Sequence, residues 1–176
     1  MALGVVLALI FDLHPWRGTP LNAGVVAWSL IWTVPLVALL LTMPLLRHWS
    51  WLRETMEFVE QVLVPLFRGA PLGAIVLVSV LAGIGEELLF RGVIQDGLAL
   101  WFGPVPAIVA ASLLFGLAHA ITPAYFVIAT VMGAYLGAIY HLSDNLLIPV
   151  IVHALYDWIA IHFYIRRARR LAAPAD

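Results

Sequence analysis

The chain has no cysteine and no lysine. The first absence excludes disulfides, a thiol nucleophile and thiolate metal ligands. The second leaves arginine as the source of all nine basic charges. Charge as a whole is scarce: 11% of residues are charged, against about 25% in ordinary soluble domains. What fills the space is apolar. Hydrophobic residues make up 64% of the 176 residues, and the mean hydropathy is +1.03. Such a composition describes a polytopic membrane protein, whose first partner is the lipid bilayer. The formal net charge of −1 points to no particular partner, and no nucleic acid is expected.

Six apolar segments can be drawn, at about 2–12, 22–46, 71–98, 104–120, 123–141 and 146–165. A membrane-crossing helix takes about 20 apolar residues. The second, third and sixth segments meet that length, the fourth and fifth are marginal, and the first is too short alone. Met1 to Phe11 lacks a basic flank and a small-residue cleavage site, so it reads as a retained first segment rather than a cleaved signal peptide. Pro71, Pro104 and Pro123 open helices, and Ser143-Asp144-Asn145 forms a turn before the last. Residues 48–67 differ: Arg53, Glu54, Glu57 and Glu60 alternate with Trp49, Trp51, Leu52, Phe58 and Val62, the pattern of an amphipathic helix on a membrane surface or bundle. The expected fold is therefore all-α, a transmembrane bundle of about six membrane segments plus an amphipathic interfacial helix. It forms a single integral-membrane domain over 1–176.

Arg47, Arg53 and Arg68 lie between the second and third segments, and Arg166, Arg167, Arg169 and Arg170 in the tail. With six crossings both groups share a side opposed only by Arg17, and the positive-inside rule puts that side in the cytoplasm. Gly133 and Gly137 form a GxxxG, while Ser79 and Gly83 form a small-xxx-small pair. Both permit close helix approach and are read as packing within the bundle. No internal repeat stands out, which argues against an inverted-repeat transporter. The oligomeric state is left open.

Against this background, polar residues inside apolar segments carry the information. They are Glu86, Glu87, Arg91, Gln95, Asp96, His119, His153 and Asp157. A charged side chain at the bilayer centre costs about 2.5–3.5 kcal/mol even on insertion scales, so such residues mark function by default. Glu87 and Arg91 are four apart and stack on one helix face. Glu86 points about 100° away and lacks that cation. A carboxylate without a fixed cation suits a general base that takes a proton from water, with Glu87 and Arg91 as its electrostatic frame. A structural ion pair explains Glu87 and Arg91 but not a second buried acid. His119 and His153, on other helices, add groups that donate to an oxyanion, shuttle a proton or bind metal. His141 with Asn145 has similar spacing but straddles the turn, and His14, His48 and His162 sit at segment ends.

Glu86-Glu87-x-x-x-Arg91, Phe115-x-x-x-His119 and His153-x-x-x-Asp157 occur in that order, each in an apolar segment. Together with Asn145-Leu-Leu-Ile-Pro149-Val-Ile-Val-His153 they resemble the CAAX-protease and bacteriocin-processing family, also called Abi, over roughly 71–165. The resemblance implies a glutamate-type intramembrane endopeptidase of a multi-pass membrane, here a bacterial cytoplasmic membrane. Its substrate would be a membrane-associated protein or peptide precursor. By that resemblance Glu86 activates water with help from His119, His153 and residue 157 stabilise the oxyanion, and Glu87 and Arg91 act indirectly. Asn is more usual where this chain has Asp157. An ionised carboxylate cannot donate to an oxyanion, so Asp157 is protonated there, orients His153 or serves a metal.

Rival protease chemistries leave other marks. A site-2 metalloprotease needs His-Glu-x-x-His, and no histidine here precedes a glutamate. Ser79 and Ser112 lie in plain apolar runs unlike a rhomboid's serine motif. Gly83-Ile-Gly85-Glu86 and Tyr156-Asp157 stand in reverse of a presenilin's order. A metal-free mechanism without a cofactor is expected, with a zinc ion held by the Glu/His cluster as the alternative. Two other functions compete with the peptidase: a non-catalytic scaffold of the same family binding a peptide or sensor protein, and a small proton-coupled carrier.

Overall fold

The computed structural model describes Val6, Pro15, Trp16 and residues 20–172. The first apolar segment at 2–12, His14 and Arg17 lie outside the described residues, apart from Val6. Six helical stretches follow: α1 (Ala23–Thr42), α2 (50–67), α3 (Leu72–Phe102), α4 (Pro104–Ala118), α5 (Pro123–Ser143) and α6 (Leu147–Ala172). Their boundaries have local causes. Asn22 caps α1 by accepting from the Val25 N–H at 3.0 Å. Thr122 does the same for α5, accepting from Tyr125 at 3.1 Å, with Pro123 at the first helical position. Gly103, at φ 78°, supplies the left-handed backbone that turns α3 back into α4. Asp144, at φ 48°, does so between α5 and α6.

Four stretches are long and apolar enough to cross a membrane: Ala23–Leu46, Leu72–Phe102, Pro123–Ser143 and Leu147–Leu171. The protein is a multi-pass, all-helical membrane protein. α4 is an apolar helix of 15 residues, about 22 Å long at 1.5 Å per residue, so it falls short of the roughly 30 Å hydrocarbon core. The third segment runs four residues past 98, because π-helical turns at Phe90–Gln95 carry the chain through Arg91, Gln95 and Asp96 without ending the helix. The sixth continues beyond 165, so the arginine tail stays helical.

α1 buries Val25, Ser29, Thr33, Leu36 and Leu40, a stripe at three- and four-residue spacing, and turns Trp28, Ile31 and Val34 outward. Its buried hydroxyls are satisfied along the helix: Ser29 donates to the Val25 carbonyl and Thr33 to that of Ser29. Val25 and Leu36 pack with Leu136 and Ile139 of α5 and with Ile148 and Val152 of α6. α2 is amphipathic as expected from 48–67, with Leu52, Thr55, Met56 and Val64 buried and Trp51, Arg53, Glu54 and Glu57 exposed. It straps the bundle through two polar contacts. Thr55 and Thr122 hydroxyls hydrogen-bond each other, and Glu60 lies 3.8 Å from Arg167.

Small residues set the helix spacings that matter most. A Cβ on Gly83 would stand 2.9 Å from the Val150 carbonyl oxygen of α6. One on Gly133 would stand 3.1 Å from Ser112 Cα of α4, and one on Gly137 would stand 2.6 Å from Gln95 Oε1. Backbones approach at these points because no side chain intervenes. Both small-residue pairs thus meet helices of the same chain.

Candidate active site

α3 buries Ile75, Ser79, Gly83 and Glu87, one residue per helical turn, against α6. The close approach at Gly83 brings the next turn, Glu87, onto His153 of α6. Glu87 Oε1 accepts from His153 Nδ1 at 2.6 Å and from Arg91 Nη1 at 2.9 Å. Arg91 also donates through Nη2 to the Gly133 carbonyl of α5 at 3.0 Å. Its guanidinium lies 4.8 Å from the centre of the Phe115 ring. Two following polar residues fasten the same helices, Gln95 donating to the Gly137 carbonyl at 3.1 Å and Asp96 accepting from the Tyr140 hydroxyl at 2.7 Å. Gln95 and Asp96 therefore have a packing role.

Glu86, one residue before this frame, faces another way. Its Oε2 lies 3.5 Å from His119 Nε2 and 3.8 Å from His153 Nε2. Asp157 Oδ2 lies 3.6 Å from the same His153 nitrogen. Glu86, His119, His153 and Asp157 thus converge from three separate stretches of chain. Accessibility divides the cluster into two layers. The Glu87, Arg91 and His153 side chains are 0%, 2% and 5% exposed, whereas Glu86, His119 and Asp157 are 32%, 27% and 30% exposed. The inner layer is joined by charge-assisted hydrogen bonds that meet on Glu87 Oε1. The outer layer is open to solvent or substrate.

The imidazole orientations follow from their second nitrogens. His119 Nδ1 donates to the Phe115 carbonyl at 2.8 Å, so its Nε2 is the nitrogen free to exchange a proton with Glu86. His153 Nδ1 donates to Glu87, which turns Nε2 toward Glu86 and Asp157. Phe115 holds both rings, with centroids 4.4 Å from His119 and 6.1 Å from His153. Its sequence signal was the four-residue spacing to His119; the hub it forms, with Phe90 at 5.0 Å, was not legible. Tyr125 was missed altogether. Its ring centre is 6.4 Å from that of His119, but a tyrosine in an apolar helix carries no mark of its own.

Outside the cluster, His48 Nδ1 donates to the Leu45 carbonyl and His162 Nδ1 to that of Trp158. His141 is exposed on the last turn of α5. Among the described residues no three histidine or carboxylate side chains form a group that could hold a metal ion.

Fold and site together define a class: a multi-pass helical membrane protein with a semi-exposed carboxylate and two imidazoles braced by a buried ion pair. A family model described as type II CAAX prenyl endopeptidase Rce1-like matches residues 68–159. The chain belongs to this Rce1-like family. It is also similar to a Bacillus subtilis (strain 168) protein, YpbD, described as uncharacterized, with 30% identity over 95 residues, covering 52% of this chain and 46% of the relative. The chain thus spans about half the length of that curated relative. No solved structure matches it.

Proposed function

We propose that the protein is an intramembrane endopeptidase that hydrolyses a peptide bond of a membrane-associated protein or peptide with a water activated by Glu86. The observation that carries this reading is Glu86 Oε2, buried, without a hydrogen bond from any described residue, and within 4 Å of the Nε2 atoms of His119 and His153. A water on the exposed side of the Glu86 carboxylate gives it one proton while the water oxygen bonds to the scissile carbonyl carbon. Charge then develops on the carbonyl oxygen. His153 is placed to donate from Nε2–H when it carries both protons, since Nδ1–H stays bound to Glu87. Collapse of the intermediate breaks the C–N bond as the nitrogen receives the proton from Glu86, directly or through His119 Nε2. The products are a carboxylate and an amine. Asp157 acts by orienting His153, or by donating a hydrogen bond in its protonated form. Glu87 and Arg91 hold His153 and never touch the substrate.

Membership of the Rce1-like family supports this reading from a second direction. The arginines of the 47–68 region and of the tail support an orientation with the C-terminal tail in the cytoplasm. The test is Glu86→Gln, which keeps shape but cannot accept water's proton. Comparison of membrane peptides by mass spectrometry between wild-type cells and cells carrying the variant should show a set of fragments lost. The purified variant should retain less than about 1% of wild-type cleavage, since general-base removal costs about 10²–10⁴-fold. An unchanged rate in a well-folded Glu86→Gln protein excludes the mechanism.

A further inference from the structure

An apolar cavity of about 290 Å³ lies between α2 and the bundle. Thr55 and Met56 of α2 line it together with Tyr125 of α5 and Tyr156, Asp157 and Ala160 of α6. The cavity therefore reaches the outer layer of the site: Asp157 lines it and stands 3.6 Å from His153 Nε2, and Tyr125 lines it and packs near His119. A dry cavity of about 150 Å³ holds a benzene ring. This one has nearly twice that volume, which suits one large apolar side chain such as phenylalanine, leucine or tryptophan. Three tyrosines, Tyr125, Tyr156 and Tyr164, line the same space and offer faces for stacking. α2 covers it without filling it, lining it with Leu52, Thr55, Met56 and Val64.

We infer that this cavity is the specificity pocket of the peptidase and receives one large apolar side chain adjoining the scissile bond. The inference rests on the peptidase reading and adds to it a class of cleavage site. A residue seated between Tyr125 and Tyr156 leaves its backbone next to Asp157, and so within reach of a water on Glu86. An acidic residue there gives up its water and faces Asp157 in a largely apolar chamber.

The experiment uses purified full-length protein in detergent and peptides of one fixed sequence, with alanine, leucine, phenylalanine or glutamate placed on either side of a single bond. Cleavage positions are read by mass spectrometry. On one side of the bond the wild type should favour phenylalanine or leucine over alanine and glutamate by about tenfold or more, the scale of apolar-pocket discrimination. Ala160→Phe fills the chamber and should collapse that ratio toward one. Ala160→Leu, a smaller intrusion, should lower it part way and guards against misfolding of the first variant. Glu86-dependent cleavage with no apolar preference, or a preference untouched in both Ala160 variants, overturns the pocket and leaves the peptidase standing. Absence of any Glu86-dependent cleavage overturns both.

Discussion

At the scale of residues, two adjacent glutamates have opposite surroundings. Glu87 is fully enclosed and binds both Arg91 and His153 through Oε1, whereas Glu86 is a third exposed and, among the described residues, receives no hydrogen bond on Oε2. Helix geometry alone foretold that they part by about 100°, so the pairing of Glu87 with Arg91 was legible from a spacing of four. The bond from His153 to Glu87 was not, because it joins residues 66 positions apart and depends on how α3 and α6 meet. Glu87→Gln tests the bracing role. The amide keeps the shape but leaves Arg91 buried without its counter-charge. Breaking a buried pair costs about 3–5 kcal/mol. The variant should therefore melt earlier in detergent. Its cleavage of any substrate found for the wild type should fall by at least about tenfold, as loss of a supporting partner does at ordered sites.

At the scale of elements, the site depends on a hairpin and a contact. Glu86 lies 16 residues before the end of α3 at Phe102, and His119 lies 15 after the start of α4 at Pro104. Each is thus roughly 23 Å from the turn at Gly103, which returns His119 to the level of Glu86. Phe90 and Phe115, packed edge to face and each four residues from its site residue, mark the register. The prolines and glycine made this hairpin readable in sequence. The π-helical turns at Phe90–Gln95 were not readable, since nothing in Phe90-Arg-Gly-Val-Ile-Gln95 breaks the α-helical pattern. The other contact is Gly83 against the Val150 carbonyl. Gly83→Val must push α6 away at the turn below Glu87. Overpacking of this kind costs about 1–3 kcal/mol, and the expected outcome is a lowered melting temperature together with loss of cleavage. Gly73, whose Cβ would meet nothing within 4 Å, serves as the control: Gly73→Ala should change neither.

At the scale of the whole molecule, composition announced a membrane protein and breakers announced its segments, but the depth of each segment came only with packing. The strap α2 illustrates this. Its amphipathic pattern was plain, while its seat on Thr122 and Arg167 is set by residues about 70 and 100 positions away. The absence of native cysteine makes orientation directly measurable. Single-cysteine variants Glu54→Cys on α2 and Asp144→Cys at the α5–α6 turn should react with a membrane-impermeant maleimide from opposite sides of intact and inverted vesicles, Glu54→Cys from the cytoplasmic side; labelling of both from one side contradicts the bundle's topology. One further consequence follows from the brevity of α4. A 15-residue helix beside neighbours of 21 or more leaves a notch of about 8 Å in the wall facing lipid. Lipids bordering that notch must thin or tilt to meet it. Any extended polypeptide travelling in the plane of the membrane finds there its shortest passage from hydrocarbon to water.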